Sequence, residues 1–211
     1  MEIFISIDGV LRNLIQKFRY HYNDAYLESE NEDENFEYGI IEPIHNDNLL
    51  DSFKFQSKEQ FDYFLYIEYP LEIFGHAGLS QEHSISTLNK IMIENKEHNF
   101  TLIGLDELGK SKPATLFFLS KNGFMGDNIK FIKSENISDL WNQCDVWITD
   151  NKKIIDSCPN EKMVVKYNTI YNEHFTNNKE ISKLNEIEEL CLKSLEKPTT
   201  LISIESQKNV D

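Results

Sequence analysis

Ser6 and Asp8 stand two residues apart in FISIDGV, where an apolar run ends. On an extended strand such residues share a face, so a hydroxyl and a carboxylate would point the same way. A serine hydroxyl attacks only when a base takes its proton, and Asp8 would have to be that base. Three further stretches carry comparable groups. TLIGLDE ends an apolar run at Gly104 to Asp106, Lys110 and Lys112 precede a helical stretch, and DVWITD ends in Thr149-Asp150. A lysine at a helix start opposes the helix dipole; this points Lys112 toward an anion, with a solvated lysine as the even alternative.

The elements that must position these groups follow from the apolar pattern. Ile3 to Ile7 reads as a buried strand ended by Gly9. Val10, Leu11, Leu14, Ile15 and Phe18 recur at helical spacing and predict a helix from Val10 to Tyr22. Residues 28–37, ESENEDENFE, hold six acids in ten positions and read as a solvated loop. Residues 38–75 are the most aromatic part of the chain and predict a small core of their own. Within them Ser57 and Gln60 form a capping-box pattern for a helix from Lys58 to Glu68, ended by Pro70.

After Gly75 and Gly78 strands and helices alternate. Strands are expected at Phe100 to Leu105, Ile129 to Ile132, Val146 to Thr149 and Met163 to Tyr167. Ser84 is the expected cap of a helix through Met92, and Pro113 falls in the first turn of another. A short helix is expected over Ile137 to Gln143, and one more carries Ile154 and Ile155. Five strands in this order predict an α/β fold, a parallel sheet with helices on both faces. Ile181, Leu184, Ile187, Leu190, Cys191 and Leu195 fall at three- and four-residue steps and predict an amphipathic helix, and Thr199 to Glu205 reads as one more strand.

Composition bounds the function. A formal net charge of -15 over 211 residues argues against nucleic acid and for a basic protein partner or simple solubility. Cys144, Cys158 and Cys191 are odd in number and widely spaced, so reduced thiols in a cytosol-like compartment are expected. Neither a secretory leader nor a membrane span is expected. The six histidines show no close pairing suited to a metal, Trp141 and Trp147 are expected to pack the sheet, and Asp145 to cap the preceding helix turn or bond locally.

Taken together, FISIDGVL, TLIGLDE, GKSKPATLFFLSK and DVWITDNKKII resemble, in order, the four motifs of the haloacid dehalogenase (HAD) superfamily, in its phosphatase and 5′(3′)-nucleotidase-like branch. The resemblance implies a Rossmannoid core over 1–22 and 76–170, a cap-like insertion with its acidic loop over 23–75, and a C-terminal extension over 171–211. In that family an aspartate attacks phosphorus and binds Mg2+, and a second aspartate two residues on is the acid and base. A Ser or Thr and a Lys hold the phosphoryl oxygens, and late acids complete the metal site. Carried over, Ser6 stands at the nucleophile position, Asp8 at the acid/base position and Gly104 at the Ser/Thr position. Lys112, or Lys110, stands at the lysine position, and Asp150 is the acid that remains.

Ser6 removes the attacking carboxylate and Gly104 a hydroxyl donor, so the expectation is a chain that has lost phosphatase chemistry, with no resident cofactor. A structural or protein-binding role is expected, with protein partners met through the cap or the C-terminal extension. The rival readings are an active Mg2+-dependent phosphatase or nucleotidase with an altered site and a module that binds phosphate or nucleotide without turnover. The FISIDGV form and the richness in Asn, Lys and Ile also look similar to HAD-like proteins of bacteriophages, which implies a virion or assembly component in the host cytoplasm.

Overall fold

The computed structural model describes residues 1–28, 36–177 and 179–189. Six strands, β1 (Glu2–Ser6), β2 (Asn99–Leu105), β3 (Ile129–Ile132), β4 (Val146–Thr149), β5 (Met163–Tyr167) and β6 (Glu180–Ile181), form one sheet in the order β3-β2-β1-β4-β5-β6. Every neighbouring pair is parallel. This is a Rossmann-like α/β architecture, as the alternating pattern predicts.

Seven α-helices flank it among the described residues: α1 (Leu14–Tyr22), α2 (Leu49–Ser52), α3 (Lys58–Tyr63), α4 (Ser84–Glu94), α5 (Lys112–Lys121), α6 (Ile137–Leu140) and α7 (Lys152–Asp156). Because side chains alternate along a strand, β1 feeds two cores. Ile3 and Ile5 pack with Ile85, Leu88 and Ile91 of α4 and Phe118 of α5. Phe4 points to the other face, among Trp141, Trp147, Leu140 and Ile154. A third core is mostly aromatic, with Phe18 and Tyr22 of α1 against Phe53, Phe61, Phe64 and Phe74. Residues of α1 therefore belong to the aromatic cluster, not only those after residue 38.

Several elements differ from expectation for local reasons. The first helix begins at Leu14, because Leu11 N–H and Arg12 N–H both turn back to the Ile7 carbonyl and Asn13 caps Gln16 N–H at 3.2 Å. The Ser57 cap forms as expected, its hydroxyl accepting from Gln60 N–H at 3.2 Å, but α3 widens into a π-helical turn over Phe64–Glu68. Pro70 then leads a second π-helical turn, Leu71–Gly75. Ser84 is the first residue of α4 rather than its cap; His83, in the left-handed region at φ 68°, precedes it.

The expected helix from Ile181 is also corrected within the described residues. Ile181 pairs with Tyr167 in β6, and Leu184–Glu186 is a 3-10 turn. Leu190, Cys191, Leu195 and the expected strand at 199–205 lie outside the described residues, as do 29–35 of the acidic loop. No described helix is long and apolar enough to cross a membrane.

Candidate functional site at the strand ends

The carboxyl ends of β1, β2 and β4 open into a cavity of about 610 Å3 beneath the aromatic insertion. Ser6, Asp8, Gly9 and Asp150 line it, as the strand-end rule for open parallel sheets requires. Gly9 is needed twice over. Its φ is +73°, and a Cβ there would fall 1.8 Å from the Asp150 carboxylate.

Ser6 is 7% exposed, and its hydroxyl is spent. It donates to Thr149 Oγ1 at 2.8 Å and accepts from Trp147 Nε1 at 3.2 Å. The register Phe4 with Trp147 and Ile5 with Ile148 brings Thr149 level with Ser6. Among the described residues no carboxylate receives the Ser6 proton. Trp147 thus does more than pack the sheet, a role its sequence position does not announce.

Asp8 faces a different partner. Arg12 Nε donates to its Oδ1 at 2.7 Å, and Nη2 lies 2.7 Å from the same oxygen. Arg12 is 1% exposed and was not among the residues singled out from sequence. Its place four residues after Asp8 is the one signal that could have found it.

Asp150 is 4% exposed and accepts a hydrogen bond from the Tyr171 hydroxyl. Burial pushes its carboxyl well above the usual carboxylate range, and the nearby Asp47 charge adds to this. Asp47 comes from the insertion, far from any motif, and accepts from Asn151 Nδ2 and from Lys152 N–H. Its carboxyl is raised by the same loss of solvation. The Tyr171 hydroxyl is held up as well, by burial first and by Asp150 second.

The other two positions carried over from the resemblance lie elsewhere. Ser6 pairs with Ile103, so Ile103 and Leu105 turn toward the cavity and Gly104 turns away. A Cβ on Gly104 would point at the Phe131 ring, 3.0 Å off, and at Ile7, 3.5 Å off. Lys112 is exposed and does not line the cavity; its amine sits 5.6 Å from the Phe131 ring centroid. The amides at the start of α5 are taken too. Asp106 accepts from the N–H groups of Lys110, Ser111 and Lys112 at 2.9, 3.0 and 3.1 Å. That cap was readable in principle, as an acid just upstream of a helix start.

The cavity's lysines are likewise engaged or peripheral. Lys58 pairs with Asp62 and Lys152 with Asp156, each at 2.5 Å, and Lys153 is exposed. The Mg2+ that the resemblance implies does not fit this donor set. Ser6 is neutral and hydrogen-bonded, Asp8 is held by a guanidinium, and Asp150 is left with a phenol. Among the described residues no group of three or more His, Cys, Asp or Glu side chains could hold a metal ion. His45 and His174 do meet, edge to face with ring centroids 5.5 Å apart, which their sequence separation hides. Asp145 bonds across the sheet's start rather than locally, accepting from Glu2 N–H at 2.9 Å.

No protein-family model and no curated protein matches the chain. The sheet order, the uniformly parallel pairing and the strand-end cavity make it a Rossmann-like α/β protein.

Proposed function

We propose that the chain is a catalytically disabled protein of the HAD fold that acts as a structural or protein-binding component. The observation that carries this reading is the Ser6 hydroxyl, committed to Thr149 and Trp147 where an attacking carboxylate would stand. A nucleophile needs a base within reach of its proton, and here that proton is held by a neutral threonine. Ile103 and Leu105, facing the cavity from β2, supply no hydroxyl for a phosphoryl group.

A binding role is supported by the surface. The insertion leaves Tyr63, Ile67 and Leu71 exposed, and the net charge of -15 suits a basic protein partner rather than nucleic acid. Free thiols at Cys144 and Cys158 agree with a reducing, cytoplasmic setting, and burial pushes the Cys144 thiol up to about 12. A place in a bacteriophage virion or its assembly rests on the form of FISIDGV and belongs to the same proposal.

The test is hydrolysis of p-nitrophenyl phosphate with Mg2+ by the native chain. No turnover above buffer is expected; turnover that Asp8→Asn abolishes would overturn the reading. A second reading, a module that binds a ligand without turnover, is favoured by the size of the cavity. Its lining acids Asp47, Asp150 and Glu107 argue against a phosphate as that ligand.

A further inference from the structure

Among the described residues Arg12 is the most deeply buried cation beside the cavity, and its guanidinium has several partners. Besides the two contacts to Asp8, Nη1 donates to the Phe74 carbonyl at 2.7 Å and to Thr115 Oγ1 at 3.1 Å. The guanidinium carbon also lies over two aromatic rings, 5.1 Å from the Phe74 centroid and 5.3 Å from that of Phe118. A charge this buried persists only when it is paired and hydrogen-bonded. The backbone delivers it there: Arg12 N–H bonds to Ile7 O at 3.0 Å, and Gly9 N–H to Arg12 O at 2.9 Å. The side chain therefore leaves a closed turn beside Asp8.

We infer that Arg12 is the resident counter-ion of this strand end, standing in for the divalent cation and fastening the aromatic insertion to the sheet. The fastening is explicit in its partners. Asp8 follows β1, Phe74 belongs to the last turn of the insertion, and Thr115 lies on α5. One guanidinium thus ties three segments that meet at the site. A cation approaching Asp8 would meet a fixed positive charge 2.7 Å from the same oxygen. Restoring a carboxylate at position 6 is then not enough to restore a metal site. The metal half of this inference rests on the reading above; the joint does not.

The experiment follows thermal unfolding of the full chain across a millimolar Mg2+ series. The native chain and Ser6→Asp are expected to hold a constant Tm. Ser6→Asp combined with Arg12→Met is expected to gain about 5–10 °C when Mg2+ is well above its Kd. A gain in Ser6→Asp equal to that of the double variant, or any comparable gain in the native chain, would overturn the replacement of metal by Arg12. Because Arg12→Met removes one partner of a buried ion pair and so weakens the fold of the double variant, a second measurement stands apart from metal. Amide exchange at Ile73 and His76, whose N–H groups bond to Tyr69 and Leu71 carbonyls, is compared between native and Asp8→Ala chains. Exchange about tenfold faster in Asp8→Ala is expected from a loosened insertion. Unchanged exchange would overturn the joint. Phosphatase activity enters neither readout, so a failure here is distinct from a failure of the catalytic reading.

Discussion

Asp8 and Asp150 are two carboxylates on one cavity, and their surroundings have driven them apart. The Asp8 side chain is 25% exposed and has a full positive charge 2.7 Å away. Asp150 is 4% exposed, and the side chain that donates to its carboxylate is a neutral phenol, Tyr171. The first is a charge compensated by a charge; the second is a charge that its site disfavours, and burial pushes its carboxyl up. Neither arrangement leaves a carboxylate ready to take up a metal: Asp8 is already compensated by Arg12, and the burial of Asp150 favours its neutral form. The difference lies in the partner's chemistry more than in depth.

The comparison breaks most completely at Arg12. Arg12→Met leaves Asp8 and the Phe74 carbonyl without their donor, and losing one partner of a buried pair costs about 3–5 kcal/mol. Chemical denaturation should show that loss, and Arg12→Lys should recover only part of it, because an ammonium cannot span Asp8, Phe74 and Thr115 as a guanidinium does. Next in size is Gly9→Ala, which disturbs the Asp150 side instead. Its φ of +73° alone costs an alanine about 1–3 kcal/mol, before the carboxylate is pushed aside. Tm should fall in proportion; a fall no larger than the φ cost would show that Asp150 has room to move, and a Gly9→Ala chain as stable as the native one would contradict both effects.

Acidity sharpens the same contrast at lower amplitude. The folded-state carboxyls of Asp150 and Asp47 are raised above their unfolded values by loss of solvation. Their contribution is therefore fully present below the unfolded carboxylate range and is lost as pH rises through the folded values. Tm measured from mildly acid to mildly alkaline buffer should drift downward. Asp150→Asn, which cannot ionise, should flatten that drift, whereas a drift left unchanged would place its source elsewhere.

The sheet was legible because buried parallel strands read as unbroken apolar runs. The stretches at 100–105, 129–132, 146–149 and 163–167 each become a strand with at most one residue's change. β6 was not, since two paired residues carry no period, and the 181, 184, 187 spacing arises from a strand end followed by a 3-10 turn. At the site, Ser6, Asp8 and Asp150 were placed by their strand ends, and all three line the cavity. Gly104 was not, because a one-residue offset on a strand reverses the face, and the pairing of Ser6 with Ile103 decides which face that is. Arg12 and Asp47 were hidden for a different reason. Arg12 looked like one polar position in an amphipathic helix, and Asp47 sits in an insertion whose fold brings it back to Asn151 across 104 residues.

The smallest expected effect concerns the lysine that the resemblance would place on a phosphate. Lys112 is exposed, and its amine touches only the edge of the problem, above Phe131 at 5.6 Å. The amides of Lys110, Ser111 and Lys112 already serve Asp106 at 2.9, 3.0 and 3.1 Å, so these three are not spare donors for an anion. Lys112→Ala should therefore change stability by no more than about 0.5–1 kcal/mol, the value of an exposed cation above a ring. It should leave any response of the chain to inorganic phosphate unaltered. A phosphate-dependent rise in Tm that vanishes in Lys112→Ala would mean that the lysine swings from Phe131 into the cavity when an anion arrives. The contrast between a compensated Asp8 and an uncompensated Asp150 would then describe only the ligand-free arrangement of the strand ends.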